Sequence, residues 1–281
     1  MQRGQSVAEA DRDIRTFLVR VAGSVGDYLG DNLRGIYVYG SLAAGSFRRS
    51  SSDIDTLIVA RKSLNARDRE ALVGVLAALS GGRPTRGDLD VYAITERAAR
   101  NFQDPVPFEV RYASGVRRDI EQGGYDCTQL QYDPNLALAI FETRERGVRL
   151  VGPQPESLFA PVPWHARINA VERSFRYAGE GVARDPVYAA LNAAQTLHAV
   201  TDRDTHVFSK EEAVRWALGV LPPDECATLQ SALDVRLERR KALGAHETAD
   251  VRALREYVLE RAAPAFVKAR PVEDDEEDDE G

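Results

Sequence analysis

With 281 residues, 43% hydrophobic and 29% charged, the chain is long enough for two modest domains, each with its own core. No apolar run approaches the ~20 residues of a membrane span, and the opening stretch MQRGQSVAEADRDIR holds no apolar signal core. The net charge of −7 comes from one place: residues 273–280 read EDDEEDDE, and taking these eight from the 44 acids leaves 36 against 37 Lys plus Arg.

A balanced body disfavours stable nucleic-acid binding, which needs many phosphate contacts. The acidic run repels itself, so residues 271–281 are expected to be a disordered, solubilising tail. Cys127 and Cys226 are too few and too far apart for a disulfide framework. Reduced thiols, a cytoplasmic location and a monomer with no membrane partner are expected.

In chain order, Ile14, Phe17, Leu18, Val21 and Val25 share one face of a first helix over 7–29. Residues 35–39 form a short apolar strand ending at Gly40, and 56–60 form a second. A helix over 65–80 is closed by Gly81 and Gly82. Residues 88–94 form a third strand and 108–112 a fourth. A helix over 134–146 follows, with a breaker at Val151-Gly152-Pro153 and a proline-bearing connection over 154–163. Beyond it the pattern is helical only, over about 163–179, 186–200, 210–220, 223–242 and 248–262. Ser209 and Glu212 have the spacing of a capping box. The expected class is α+β: a mixed sheet flanked by helices over 1–155, an all-α bundle over 156–270, and the tail.

The chemistry concentrates between Tyr39 and Ala60. Gly40 and Ser41 follow a strand and open a short helix-like bridge, where glycine lets an anion approach the backbone and the serine adds a hydroxyl donor. Twelve residues after Ser41, Asp53 and Asp55 stand at i and i+2 as a strand begins, so both carboxylates share a face while Ile54 points to the core. Such a pair repels unless a cation lies between, and Mg²⁺, a hard ion that bridges to substrate phosphates, suits the position. Ser52 is placed to reach the same phosphates. Asp88 and Asp90 share a face of the third strand; if it lies beside the second, one of them could complete a three-carboxylate cluster and accept a proton. His165, His198, His206 and His246 show no metal-ligand spacing, and Trp164 and Trp216 are expected to pack in the helical part. Glu180, Asp202 and Asp204 are candidates for making a cleft acidic.

The Gly40-Ser41 turn with Ser52-Asp53-Ile54-Asp55, the run Arg144-Glu145-Arg146-Gly147-Val148 leading to Leu150-Val151-Gly152-Pro153, and Ser209 to Ala213 with Trp216-Ala217-Leu218 together resemble the aminoglycoside nucleotidyltransferases that adenylylate streptomycin and spectinomycin. These belong to the nucleotidyltransferase superfamily related to polymerase β, and the resemblance spans roughly 30–240. It implies a cleft between the two domains in which ATP and a cationic, hydroxyl-bearing antibiotic meet. It makes Asp53, Asp55 and Asp90 metal ligands, with Asp90 also the base. It gives Gly40, Ser41, Ser52 and Lys210 to the nucleotide, and Asp185 to the drug. The pattern departs at four places: Asp90 stands for a glutamate, Gln195 for an arginine that holds ATP, Arg236 near a tyrosine by the nucleotide, and Gly115 for a tryptophan associated with streptomycin. Other readings compete. One is nucleotidyl transfer to a different metabolite or a protein side chain. Another is a non-catalytic nucleotide- or partner-binding protein using the tail, against which the intact Asp53, Asp55 and Asp90 stand. Balanced charge and a short chain disfavour a template-dependent polymerase.

Overall fold

The computed structural model describes residues 5–202 and 207–270, so the acidic tail, Asp204 and His206 lie outside the described residues. The N-terminal part comprises α1 (Arg12–Leu29), β1 (Leu33–Val38), α2 (Gly40–Ala43), β2 (Ile54–Ala60), α3 (Ala66–Ser80), β3 (Leu89–Thr95), α4 (Glu96–Arg100), β4 (Val106–Phe108), β5 (Val110–Tyr112), α5 (Ser114–Glu121), β6 (Gln131–Asp133), α6 (Leu136–Arg146) and β7 (Val148–Val151). The short α7 (Pro155–Leu158) leads to α8 (Trp164–Glu180), α9 (Pro186–Thr201), α10 (Lys210–Ala217), α11 (Pro223–Arg236) and α12 (Ala245–Ala269).

Five strands form one mixed sheet in the order β5-β3-β2-β1-β7, with β2 and β3 parallel and the other pairs antiparallel. Strand alternation sorts the side chains onto two faces. Ile36, Val38, Ile54, Ile58, Leu89 and Val91 pack with α1 and α3. Tyr37, Leu57, Val59, Tyr92 and Ile94 pack on the other face with α6 and Ala166 and Ala170 of α8. Asp55 and Asp90 have the parity of this second face, so they lie at the strand starts where the cover of α6 and α8 gives way to a cleft.

The face of α1 is the expected one: Ile14, Phe17, Leu18, Val21 and Val25 are all buried. Beside the short α4, α5, β6 and α7, which the sequence pattern does not anticipate, three elements differ from the sequence expectation. The run over 108–112 is two strands with different partners, split at Glu109, whose buried carboxylate accepts from Arg69 Nε at 2.9 Å and from the Leu64 N–H at 3.1 Å. The residues before the Val151 breaker form an edge strand, β7, paired with β1. The helix over 223–242 stops at Arg236, which places that residue at a helix end. In the helical part α9 is the central element, with Ala189, Ala190, Ala193 and Ala194 all buried so that neighbouring helices approach closely. No helix among the described residues is long and apolar enough to cross a membrane.

Candidate active site

A cavity of about 340 Å³ opens between the start of β2 and the helices α6, α8, α9, α10 and α11. Its floor begins at Gly40, where φ is +64° and any added Cβ would collide with the Asp55 carboxylate. Only glycine combines that backbone conformation with that approach. The helix it opens is a single turn. Ser41 Oγ is buried with no partner, and the loop behind it is held by the Ser46 N–H donating to the Ser41 carbonyl at 2.9 Å.

Parallel pairing brings the acids together. Asp55 stands directly beside Asp90 in the β2–β3 register, and Asp53 accepts the Asp88 N–H at 2.6 Å, tying the two strand entries. Burial pushes the Asp53 carboxyl up, with the Asp90 and Asp88 charges adding to it. Burial also drives Asp55 well above the usual carboxylate range, reinforced by Asp90, Asp53 and Glu142. Asp53 and Asp55 line the cavity. Asp90 does not: its carboxylate is gripped by Arg111, with Nη2 to Oδ2 at 2.8 Å, and Arg111 in turn lies 3.9 Å over the Tyr92 ring. Asp88 is tied to Arg83 at 3.2 Å and to Arg117. Among the described residues no three His, Cys, Asp or Glu side chains close into a ready-made ion cage.

A fourth acid carries no local sequence signal. Glu142 on α6 lines the cavity and accepts the Gly40 N–H. Burial raises its pKa to about 7, against the opposing pull of Lys210, Arg146 and that N–H.

The opposite wall is cationic. Ser209 and Glu212 form the expected capping box, with Ser209 Oγ accepting the Glu212 N–H at 3.2 Å and Glu212 accepting the Ser209 N–H at 2.8 Å. That box fixes Lys210 as the first residue of α10. The next two residues dock α10 onto the N-terminal part: Glu211 pairs with Arg48 at 2.9 Å, and Glu212 with Arg146 at 2.7 Å. Lys210 lines the cavity, 4.9 Å over the Tyr188 ring. Burial and Arg236 push its pKa down, while Asp55, Glu142 and Asp53 pull it up. Ser52 is buried; its hydroxyl accepts from the Arg48 N–H at 2.9 Å and from Arg236 at 3.1 Å, leaving its own O–H to donate.

Of the other residues singled out in the sequence, Gln195, His198 and Arg236 line the cavity and the other described ones lie outside it. Asp185 is exposed, caps α9 by accepting the Tyr188 N–H at 2.8 Å, and is absent from the cavity lining, although its charge acts on Arg236. Gln195 lines the cavity and donates to the Phe208 carbonyl at 3.2 Å. Gly115 lies in α5 with open space around it, outside the lining. Glu180 and Asp202 are exposed and outside it as well. His198 is buried edge-on against Phe208 and Trp216, and Trp164 packs against the cluster of Ile168, Ala262, Phe266 and Ala269.

Residues 22–120 match the model of the nucleotidyltransferase domain, and residues 157–261 that of the aminoglycoside adenylyltransferase C-terminal domain. Spectinomycin 9-adenylyltransferase of Staphylococcus aureus is 29% identical over 211 residues, 74% of this chain and 79% of that protein. Aminoglycoside (3'') (9) adenylyltransferase of Escherichia coli is 27% identical over 219 residues, 75% and 80% of the two chains. The crystal structure of a spectinomycin adenyltransferase from Enterococcus faecialis, solved with ATP and spectinomycin, superposes with a TM-score of 0.74, covering 89% of this chain and 99% of that one. At 19% identity that likeness shows a shared fold.

Proposed function

We propose that the chain, whose two parts match the nucleotidyltransferase domain and the aminoglycoside adenylyltransferase C-terminal domain, is an aminoglycoside adenylyltransferase that moves AMP from ATP to a hydroxyl of a cationic aminoglycoside or aminocyclitol of the streptomycin–spectinomycin type, releasing pyrophosphate. The observation that carries this reading is the parallel register that sets Asp55 beside Asp90, with Asp53 on the same face and Lys210 opposite.

Mg²⁺ is the metal we assign to this chemistry, with Asp53 and Asp55 as its holders. Both are hard oxygen donors lining one cavity, and desolvation with neighbouring carboxylate charges raises both carboxyls, a cost that a cation there would relieve. Two carboxylates suffice, because Mg²⁺ keeps waters and takes substrate phosphates for its other positions. Bound there it would neutralise charge on the phosphates. The remaining work belongs to side chains. Gly40, with no Cβ, leaves room for a phosphate oxygen to approach the unpartnered Ser41 hydroxyl, joined by the free O–H of Ser52. Lys210 meets the phosphates from the helical wall. Asp90, oriented by Arg111, keeps a lone pair on each oxygen with which to accept the acceptor hydroxyl's proton. The acids of the floor draw a polycation to the cleft, and Asp185 extends that field to the helical side. Residues 1–155 thus act as the catalytic unit and 156–270 as the wall that completes the site. We place the reaction in the cytoplasm of the cell, in a monomer, in keeping with two free cysteines.

The test is incubation with Mg-ATP and a panel of aminoglycosides and spectinomycin, read by mass spectrometry. A product carrying one added AMP is expected. Pyrophosphate release with another class of acceptor, and none with the panel, would move the reading to a different substrate.

A further inference from the structure

Asp55 and Asp90 face each other in the β2–β3 register but have different partners. Asp55 looks into the cavity, with Lys210 on the opposite wall. Asp90 is closed by a fork: Arg111 donates from Nη1 to Oδ1 and from Nη2 to Oδ2, the latter at 2.8 Å, with the two side chains only 19% and 21% exposed. Such a fork is directional and permanently charged. The guanidinium is also held from behind. Arg111 stands opposite Tyr92 in the antiparallel β3–β5 register and lies 3.9 Å over its ring. Its backbone N–H donates to the Tyr125 hydroxyl at 2.8 Å. The Tyr92 hydroxyl donates in turn to Asp133, which anchors the ring. Three neighbouring carboxylates are the kind of donor set that holds two divalent ions, one meeting the attacking oxygen and one the leaving oxygen. Here one cation is already part of the fold. With the guanidinium counted, Asp53, Asp55 and Asp90 carry a net charge of −2, which one divalent ion answers. A second ion between Asp55 and Asp90 would be repelled by the fixed guanidinium. Mg²⁺ also gives up its waters reluctantly, the more so for a carboxylate already neutralised.

We propose that Arg111 takes the place of a second metal ion on Asp90, so that the site binds a single divalent cation, on Asp53 and Asp55, and Asp90 is held as base by a guanidinium. The proposal rests on nucleotidyl transfer as the activity and corrects the expectation that Asp90 is a metal ligand. Arg111 is a positioning residue: it fixes both Asp90 oxygens and offsets the charge beside Asp55. It differs from an ion in offering no coordination place to the acceptor oxygen, so Asp90 alone activates that hydroxyl. The acceptor proton passes to Asp90 as the acceptor oxygen bonds to the α-phosphorus. The bond from that phosphorus to the α,β-bridging oxygen breaks, and its electron pair leaves with pyrophosphate.

The experiment counts Mn²⁺ bound to the full chain by electron paramagnetic resonance, with one equivalent of α,β-methylene-ATP, which cannot be cleaved at the reacting bond. Wild type, Arg111→Lys, Arg111→Gln and the double variant Arg111→Gln/Asp90→Asn are compared, with thermal melts alongside. The wild type and Arg111→Lys should hold one ion per complex. Arg111→Gln should hold two, because Asp90 is then free to take a metal, and the double variant should return to one. Two ions in the wild type, or one in a folded Arg111→Gln, would overturn the proposal. If Arg111→Gln fails to fold, the wild-type count decides. In the AMP-transfer assay Arg111→Gln is expected to lose about a hundredfold in turnover at low Mg²⁺ and to recover part of that as Mg²⁺ is raised. A merely structural arginine would give a loss that Mg²⁺ does not move, and that result counts against the proposal. One ion per wild-type complex with no AMP transferred to any acceptor counts against the activity, while the ion counts still decide the role of Arg111. No ion bound by the wild type with nucleotide would overturn both.

Discussion

On the sheet side of the cleft, Asp53, Asp55 and Asp90 share a face because β2 and β3 run parallel in one register. On the helical side, Lys210 and Arg236 arrive from the start of α10 and the end of α11, held there by docking contacts such as Arg48–Glu211 and Arg146–Glu212. The acids are fixed by a covalently short, rigid strand geometry, so their repulsion is built into the fold. The cations are fixed by tertiary contacts, so they hold their places only while the helical part stays docked. Each wall destabilises itself, and each is relieved by the charge that binds between them. This is the trade of stability for function expected of a preorganised site.

The two walls should respond differently to substitution. Asp55→Asn, measured by pyrophosphate release, is expected to lower turnover by at least about a thousandfold, the scale of losing a central electrostatic group. It should raise the melting temperature, since the isostere removes a buried charge. Retained turnover, or a lower melting temperature, would break the contrast on the sheet side. Glu211→Gln removes the carboxylate charge that meets the buried Arg48 guanidinium and is expected to cost about 3 kcal/mol in denaturant unfolding. Replacing both partners by apolar residues should recover most of that. A loss under about 1 kcal/mol would mean that the docking pair behaves like a surface pair.

Glu142 joins the walls and has a pH signature. Its pKa rises on folding from the ordinary 4.5 to about 7. Between those values the folded chain binds more protons than the unfolded one, so stability falls as pH rises through this window, by about 3 kcal/mol in all. Glu142→Gln should flatten that slope in pH-dependent thermal melts; an unchanged slope would assign it to other groups. The smallest effect is expected at the surface, outside the cavity lining. Arg49 pairs with Asp11 and Asp13 through side chains 39–47% exposed, and Arg49→Ala should cost under about 1 kcal/mol.

How much of each wall is legible in the sequence follows from the same contrast. Asp53 and Asp55 are readable because a strand's two-residue period is local, and the capping box that seats Lys210 is equally local. The face of α1 is readable from its helical spacing. Glu142 is not, because nothing within a few residues of it marks a site, and Arg236 enters only through the family resemblance, as a departure near the nucleotide; the packing of α6 under Gly40 and of α11 over the 46–52 loop places the two side chains. Arg111 is hidden the same way, reaching Asp90 from the neighbouring strand. The division of 108–112 into β4 and β5 depends on Arg69, forty residues away in sequence, neutralising Glu109. β7 is hidden by brevity: four residues before a Gly-Pro pair carry too little pattern to outweigh the breaker.

The central claim is that the phosphate nearest the ribose is the one transferred across this cleft. ATP labelled with ³²P at the α-phosphate, and in parallel at the γ-phosphate, incubated with Mg²⁺, the protein and streptomycin or spectinomycin, tests it most directly. The α label should appear on the antibiotic and the γ label in pyrophosphate. The γ label on the antibiotic, or neither label transferred, would contradict the account.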